Sequence, residues 1–267
     1  MKKNLTRRIS ILVLLTLLLV VLGASDVVYF PINYDKLDWV QRYTVDRINE
    51  RSDAYLASLP EEKARTISYQ DYLNHLNFLE RRFVERVFAI KSATLGFKGP
   101  FFSMEPVAKL TTIPAMTLTS NGEEYDTGVN FMPDVVFADY DRMMQAMDQD
   151  LGQRLYIDSA YRSPGYQAKI FFDYLGEENN YSLKENAGWV AMPGYSEHGS
   201  ENTALDFINK DGISGEWQDQ TPEDFEKLPE YQWLMQNAAA YNFYLTYPRN
   251  NPFGVNYESW HWHWEIK

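Results

Sequence analysis

Pro193-Gly-Tyr-Ser-Glu-His-Gly-Ser-Glu-Asn-Thr-Ala-Leu-Asp206 is the stretch on which the reading of this chain turns. It carries His198 and, eight residues later, Asp206. The chain has four histidines, and two of the others, His261 and His263, fall in its last seven residues, shortly after Glu258. An imidazole and a carboxylate from one loop and strand, joined by an imidazole from far along the chain, make the ligand set of an open zinc site. Three protein ligands leave the fourth tetrahedral position to water, the arrangement that catalyses. Taken singly, His198 reads as a loop residue and Asp206 as an ion-pair partner; the clustering of histidines favours a metal.

The C-terminal Glu258-Ser-Trp-His-Trp-His-Trp264 reads as a strand from Trp260 onward. Period-two alternation puts His261 and His263 on one face and the tryptophans on the other, against the core. Either histidine is therefore placed to reach a metal.

Four ordered blocks resemble the zinc D-Ala-D-Ala carboxypeptidase family that includes VanY. They are Ser159-Ala-Tyr-Arg162 through Gln167; Ser196-x-His198 with Ala204-x-Asp206; Trp233 to Tyr247-Pro248; and Glu258-x-Trp260-His261. The likeness covers roughly residues 132–267. It implies an α+β fold, a small antiparallel sheet with flanking helices carrying the zinc. It further implies that His198, Asp206 and His261 hold the metal, that Glu258 is the general base, and that Arg162 helps stabilise the oxyanion. Ser159, Gln167 and Ser196 become candidate substrate contacts, and His263 takes a supporting place behind the ligands or in the pocket wall. The implied substrates are peptidoglycan stem peptides and the implied activity D,D-carboxypeptidase, with L,D-carboxypeptidase, D,D-dipeptidase or endopeptidase as relatives. The rival from another class is a non-catalytic cell-wall-binding module with a structural zinc. The His-to-Asp spacing here is one residue longer than the family's, and Asn202 stands where the family has Gly. Asn tolerates the left-handed backbone better than other non-glycine residues, and the extra residue falls in the loop before the strand.

The chain of 267 residues, 45% hydrophobic and 15% aromatic, can bury a sizeable core. With 25 basic and 37 acidic residues its charge is −12, which argues against nucleic acid as a partner. It contains no cysteine, so the fold uses no disulfide and a zinc would be held by nitrogen and oxygen.

Residues 1–25 place Lys2, Lys3, Arg7 and Arg8 before an apolar run from Ile9 to Leu22. This is the order of a signal peptide, or of an uncleaved anchor if Val27 to Phe30 extend the run. Either predicts an extracytoplasmic protein that meets the membrane only through this segment.

Residues 26–99 read as a helical N-terminal region. One helix ends near Leu59-Pro60, and a second opens at Ser68 with Asp71 as capping partner and runs to Ile90. His75 reads as a packed helix residue. The boundary to a peptidase domain over residues 100–267 is expected near Gly99, making the helical region a spacer or a layer on the catalytic part. Beyond it come a hairpin turn at Asn121-Gly122, a helix from Val135 to Leu151, a strand ending at Ser159, and a helix begun by Ser163-Pro164. A long loop is expected over 176–197.

Overall fold

The computed structural model describes residues 31–267 apart from 121–122, 177 and 217–219. The N-terminal apolar run and the Asn121-Gly122 turn thus lie outside the described residues, among which no helix is long and apolar enough to cross a membrane. Tyr34–Lys267 form one compact unit.

The N-terminal helices are α1 (Trp39–Ala57), α2 (Glu61–Arg65), α3 (Tyr69–Asn74) and α4 (Phe78–Phe88). The expected helix from Ser68 to Ile90 is in fact two. Ser68 and Asp71 form the capping box that opens α3, but the chain then breaks at His75. Asn77 accepts from the amides of Leu79 and Glu80, while Glu80 accepts from the Asn77 amide, so a second capping box restarts the helix as α4. His75 packs where expected, stacked on Tyr55 with ring centroids 4.5 Å apart and 3.1 Å from Ser52 Oγ.

Next come β1 (Leu110–Ile113), β2 (Thr117–Ser120), β3 (Glu123–Asp126) and β4 (Asn130–Pro133), in two antiparallel pairs, β1 with β4 and β2 with β3. The β2–β3 pairing, Thr117 opposite Asp126, is the hairpin that the sequence predicted. Then follow α5 (Asp134–Leu151), β5 (Tyr156–Ser159), α6 (Pro164–Leu175) and α7 (Leu183–Ala187). The last of these lies inside the segment read as a long loop. Its cap is Ser182, whose hydroxyl accepts from the Glu185 amide, a one-turn signal too short to show as periodicity. The chain ends with β6 (Ala204–Ile208), α8 (Pro222–Glu226), α9 (Pro229–Asn237), β7 (Phe243–Leu245) and β8 (His261–Trp264).

The central sheet is antiparallel in the order β5-β6-β8-β7. All five residues of β6 are buried. Leu205, Phe207, Trp262 and Trp264 point into the core against Met143, Met144 and Met147 of α5 and Leu234 of α9. Each side chain so buried is worth about 1.5–3 kcal/mol. Alternation then turns Asp206 and His261 to the opposite face, where they sit directly across from one another, with Ser159 beside Asp206 on β5. The fold is the α+β arrangement expected.

The boundary expected near Gly99 does not divide the described chain. Phe171 and Phe172 on α6 are fully buried. Phe83 and Phe88 of α4 complete that cluster, with Phe88 5.3 Å from Phe171. Without the helical region, α6 would expose this aromatic face, so the region is a layer of the core.

Candidate metal centre and catalytic cleft

His198 sits in a 3-10 turn, Glu197–Gly199, opened by Ser196, whose hydroxyl accepts from the His198 amide at 3.3 Å. The ring is buried, and its Nδ1–H donates to the Ala160 carbonyl at 2.7 Å. A carbonyl only accepts, so the proton is fixed on Nδ1 and the Nε2 lone pair faces the site. Burial, then the Arg162 charge, push this imidazole down to about 4, so it is neutral at physiological pH. Nε2 lies 3.2 Å from Asp206 Oδ2.

His261 presents its Nδ1 to Asp206 Oδ1 at 2.9 Å and its Nε2 to Glu197 Oε2 at 2.9 Å. Burial opposes a charge on this ring, but the hydrogen bonds to Asp206 and Glu197 outweigh it and push it up to about 10. In the metal-free protein both nitrogens therefore donate. Tyr247 stacks on the ring with centroids 4.7 Å apart. Burial works to raise the Asp206 carboxyl, yet the charged His261 and Arg162, both within hydrogen-bond distance, hold it well below the usual carboxylate range.

One ligand atom each from His198, Asp206 and His261 lies within 4.8 Å of the others, and all three residues are buried. Two imidazole nitrogens and one carboxylate oxygen, with the far nitrogen of each ring held by a carbonyl or a carboxylate, fit the donor chemistry of a zinc site with an open position.

Glu258 Oε2 stands 3.6 Å from His261 Nδ1. Its amide donates to the Tyr247 carbonyl at 3.1 Å, fixing the turn that leads into β8. Burial pushes its carboxyl up to about 8, against the pull of His261. Arg162, just before α6, donates from Nη2 to Asp206 Oδ2 at 2.7 Å and from Nε to Ser159 Oγ at 2.8 Å. Its own amide donates to the His198 carbonyl at 2.9 Å, tying the two loops together.

These groups line a cleft of about 870 Å³, as do Ser159, Gln167 and Ser196. Each of those three is already engaged: Ser159 with Arg162, Ser196 with the His198 amide, and Gln167 through Nε2 to the Ala191 carbonyl at 2.8 Å. The Gln167 Oε1 is buried without a partner. His263 is not among the residues that line the cleft; its Nδ1 lies 3.6 Å from Glu197 Oε2. Glu197 therefore stands between His263 and His261.

Asn202 does not use the left-handed backbone that Asn tolerates. Among the described residues the non-glycine positions with positive φ are Asn180, Tyr181, Asn242 and Asn250. The longer spacing is taken up in the irregular stretch between the 3-10 turn and β6, so the face of Asp206 is unchanged.

Tyr247 and Glu197 are not among the site residues expected from the sequence. Glu197 adjoins His198 in sequence, but only the 3-10 turn, invisible to periodicity, swings it under His261.

A buried set of three ligands, a carboxylic acid beside it and an arginine tied to the carboxylate ligand, all opening on one cleft, define a candidate metal-dependent hydrolase site. The chain belongs to the VanY family of D-alanyl-D-alanine carboxypeptidases, whose family model matches residues 130–266. A Bacillus subtilis (strain 168) protein named as a carboxypeptidase, YodJ, is 30% identical over 112 residues. That match covers 42% of this chain and 38% of the length of YodJ. Among solved structures, a variant of the vancomycin-resistance D,D-pentapeptidase VanY in complex with Zn(II) aligns with 23% identity and a TM-score of 0.44, over 61% of this chain and 82% of that one. The LdcB LD-carboxypeptidase aligns with 24% identity and a TM-score of 0.46, over 60% and 69%.

Proposed function

We propose that this chain is an exported zinc peptidase that removes the terminal D-alanine from peptidoglycan stem peptides ending in D-Ala-D-Ala. The observation that carries the reading is the convergence of His198, Asp206 and His261 on one point of the cleft, with Glu258 3.6 Å from His261. Zinc held by these three residues would supply a Lewis acid that lowers the pKa of water toward ~7 and polarises the scissile carbonyl.

The remaining work falls to the chain's own side chains. Glu258, buried and 3.6 Å from His261, is placed to take a proton from the attacking water and return it to the leaving amine. Arg162 keeps Asp206 ionised and oriented and lines the cleft, where a peptide carboxylate or the oxyanion could accept from its remaining N–H donors. The Ala160 carbonyl and Glu197 fix the two imidazoles, so the reacting groups are held before substrate arrives. A purely structural zinc gives no reason for a buried acid and an arginine to open on the same cleft.

Export follows from the basic and apolar order of residues 1–25, and the chain would then meet its substrate outside the cytoplasm. The activity is tested by incubating purified protein with a pentapeptide ending in D-Ala-D-Ala and with the tetrapeptide that ends one residue earlier. Release of D-alanine from the pentapeptide, abolished by chelator and restored by zinc, is the expected result. Cleavage of the tetrapeptide alone would reassign the chain to L,D specificity, and metal-independent cleavage would remove the zinc reading.

A further inference from the structure

The N-terminal helices do more than cover α6, because they also supply part of the cleft. Arg65, the last residue of α2, lines it beside Tyr125 and Tyr166. The backbone around Arg65 is locked to the first turn of α6. Ser163 Oγ approaches the Arg65 carbonyl at 3.3 Å and the Ile67 carbonyl at 2.7 Å. A Cβ on Gly165 would stand only 2.3 Å from the Ser68 carbonyl oxygen, so the two segments touch backbone to backbone.

The guanidinium has a place made for it. Gly128 adopts φ +64°, and a Cβ there would lie 2.0 Å from Arg65 Nη2, so the missing side chain is what leaves room for the cation. Glu61 Oε1 is 3.8 Å from Arg65 Nε but is hydrogen-bonded to the Val129 amide at 2.9 Å. Asp126, on the same wall, accepts from the Gly128 amide at 2.8 Å. Glu61 thus holds backbone, the guanidinium lies over the Tyr166 ring 5.8 Å from its centroid with its in-plane N–H groups left over, and the Arg65 side chain keeps 25% of its surface exposed.

Among the described residues of the cleft wall the arginines are Arg65 and Arg162, and there is no lysine. Arg162 is committed to Asp206 and Ser159. Arg65, with five N–H donors and one acid at 3.8 Å, retains donors for a planar anion. A carboxypeptidase has a single residue on the leaving side of the scissile bond. A cleft of about 870 Å³ therefore has most of its length available to the acyl side of the substrate.

We propose that Arg65 is a specificity residue that binds a carboxylate carried by the acyl part of the substrate, so that stem peptides with that carboxylate free are preferred over their amides. This inference rests on the peptidase reading above. It gives the helical layer, which lies outside the family-matched residues 130–266, a part in substrate selection.

The test uses two pentapeptides, L-Ala-γ-D-Glu-L-Lys-D-Ala-D-Ala with the glutamate α-carboxylate free, and the same peptide with that group as a carboxamide. Turnover is measured on the wild-type chain and on Arg65→Gln and Arg65→Lys. Binding of both peptides is measured by calorimetry to Glu258→Gln protein with and without Arg65→Gln. The wild type should favour the free carboxylate about tenfold in kcat/KM, chiefly through KM, as expected of a binding contact. Arg65→Gln should erase the preference by weakening only that peptide, and Arg65→Lys should keep part of it. Equal weakening of both peptides, or no preference in the wild type, would overturn the inference and leave the peptidase reading standing. Selective, Arg65-dependent binding without turnover would do the reverse, and no binding of either peptide would overturn both.

Discussion

Glu197 Oε2 accepts from His261 Nε2 at 2.9 Å, so the ring that offers Nδ1 to the metal site is held from behind by a carboxylate. His263 reaches the same carboxylate only at 3.6 Å. Support of this kind commonly carries 10–100-fold of metal affinity. Glu197→Gln should therefore weaken zinc binding by about 10–100-fold in a competition titration, whereas His263→Ala should change it by less than about threefold. The opposite ranking would place the support on His263.

Removing ligands should have two different outcomes. His198→Ala takes away a neutral imidazole and leaves the buried Ala160 carbonyl unpaired at a cost of about 1–3 kcal/mol, with no charge stranded, so zinc is lost and the thermal melt falls only modestly. Asp206→Ala leaves Arg162 and the charged His261 buried without their shared partner. Breaking a buried pair in this way costs about 3–5 kcal/mol, so this variant should lose zinc and melt well below His198→Ala. Equal melts for the two variants would mean that the Asp206 cluster does not hold the metal-free fold.

Metal binding should release protons. His261 is pushed up to about 10 in the metal-free protein and must give up its Nδ1 proton to a metal. Calorimetry at pH 7 in buffers of different ionisation enthalpy should report about one proton released per zinc. Affinity that does not change between pH 6 and 8 would contradict a doubly protonated His261 in the metal-free protein.

Stability of the metal-free protein follows from the same shifts. His261 has a folded pKa raised above its ordinary 6.5, so its contribution is full below that value and is lost as pH rises toward about 10. Glu258, raised from 4.5 to about 8, binds its proton more tightly when folded and acts in the same direction over its own range. The metal-free Tm should fall between pH 7 and 9, more than in the zinc-loaded protein. A Tm that rises over that interval would show that these groups do not carry the shifts described.

Much of this site was legible in the sequence because it depends on strand alternation, which has a fixed period. Once β6 and β8 pair, Asp206 meets His261, and the tryptophans fall to the core. The Ser163-Pro164 start of α6 was equally readable, since cap and proline are local signals. What could not be read depends on contacts between segments distant in sequence. The Gly and Pro residues around Gly99 read as a boundary, whereas the aromatic face of α6 shows its partner only once α4 is folded onto it. Arg65 reaches the cleft only because Gly128 and Gly165 permit close approach. The break before Asn77 was missed because apolar spacing continued through it while the capping chemistry changed.

The central claim, that Glu258 moves the proton beside a zinc held by His198, Asp206 and His261, is tested most directly by Glu258→Gln. Zinc content and D-alanine release from a pentapeptide ending in D-Ala-D-Ala would be measured together on this variant and the wild type. Gln fills the same space but is no base at neutral pH, so the account predicts one zinc in each protein and a loss of release of about 10³-fold or more in the variant. Release within about tenfold of the wild type, with zinc retained, would contradict it.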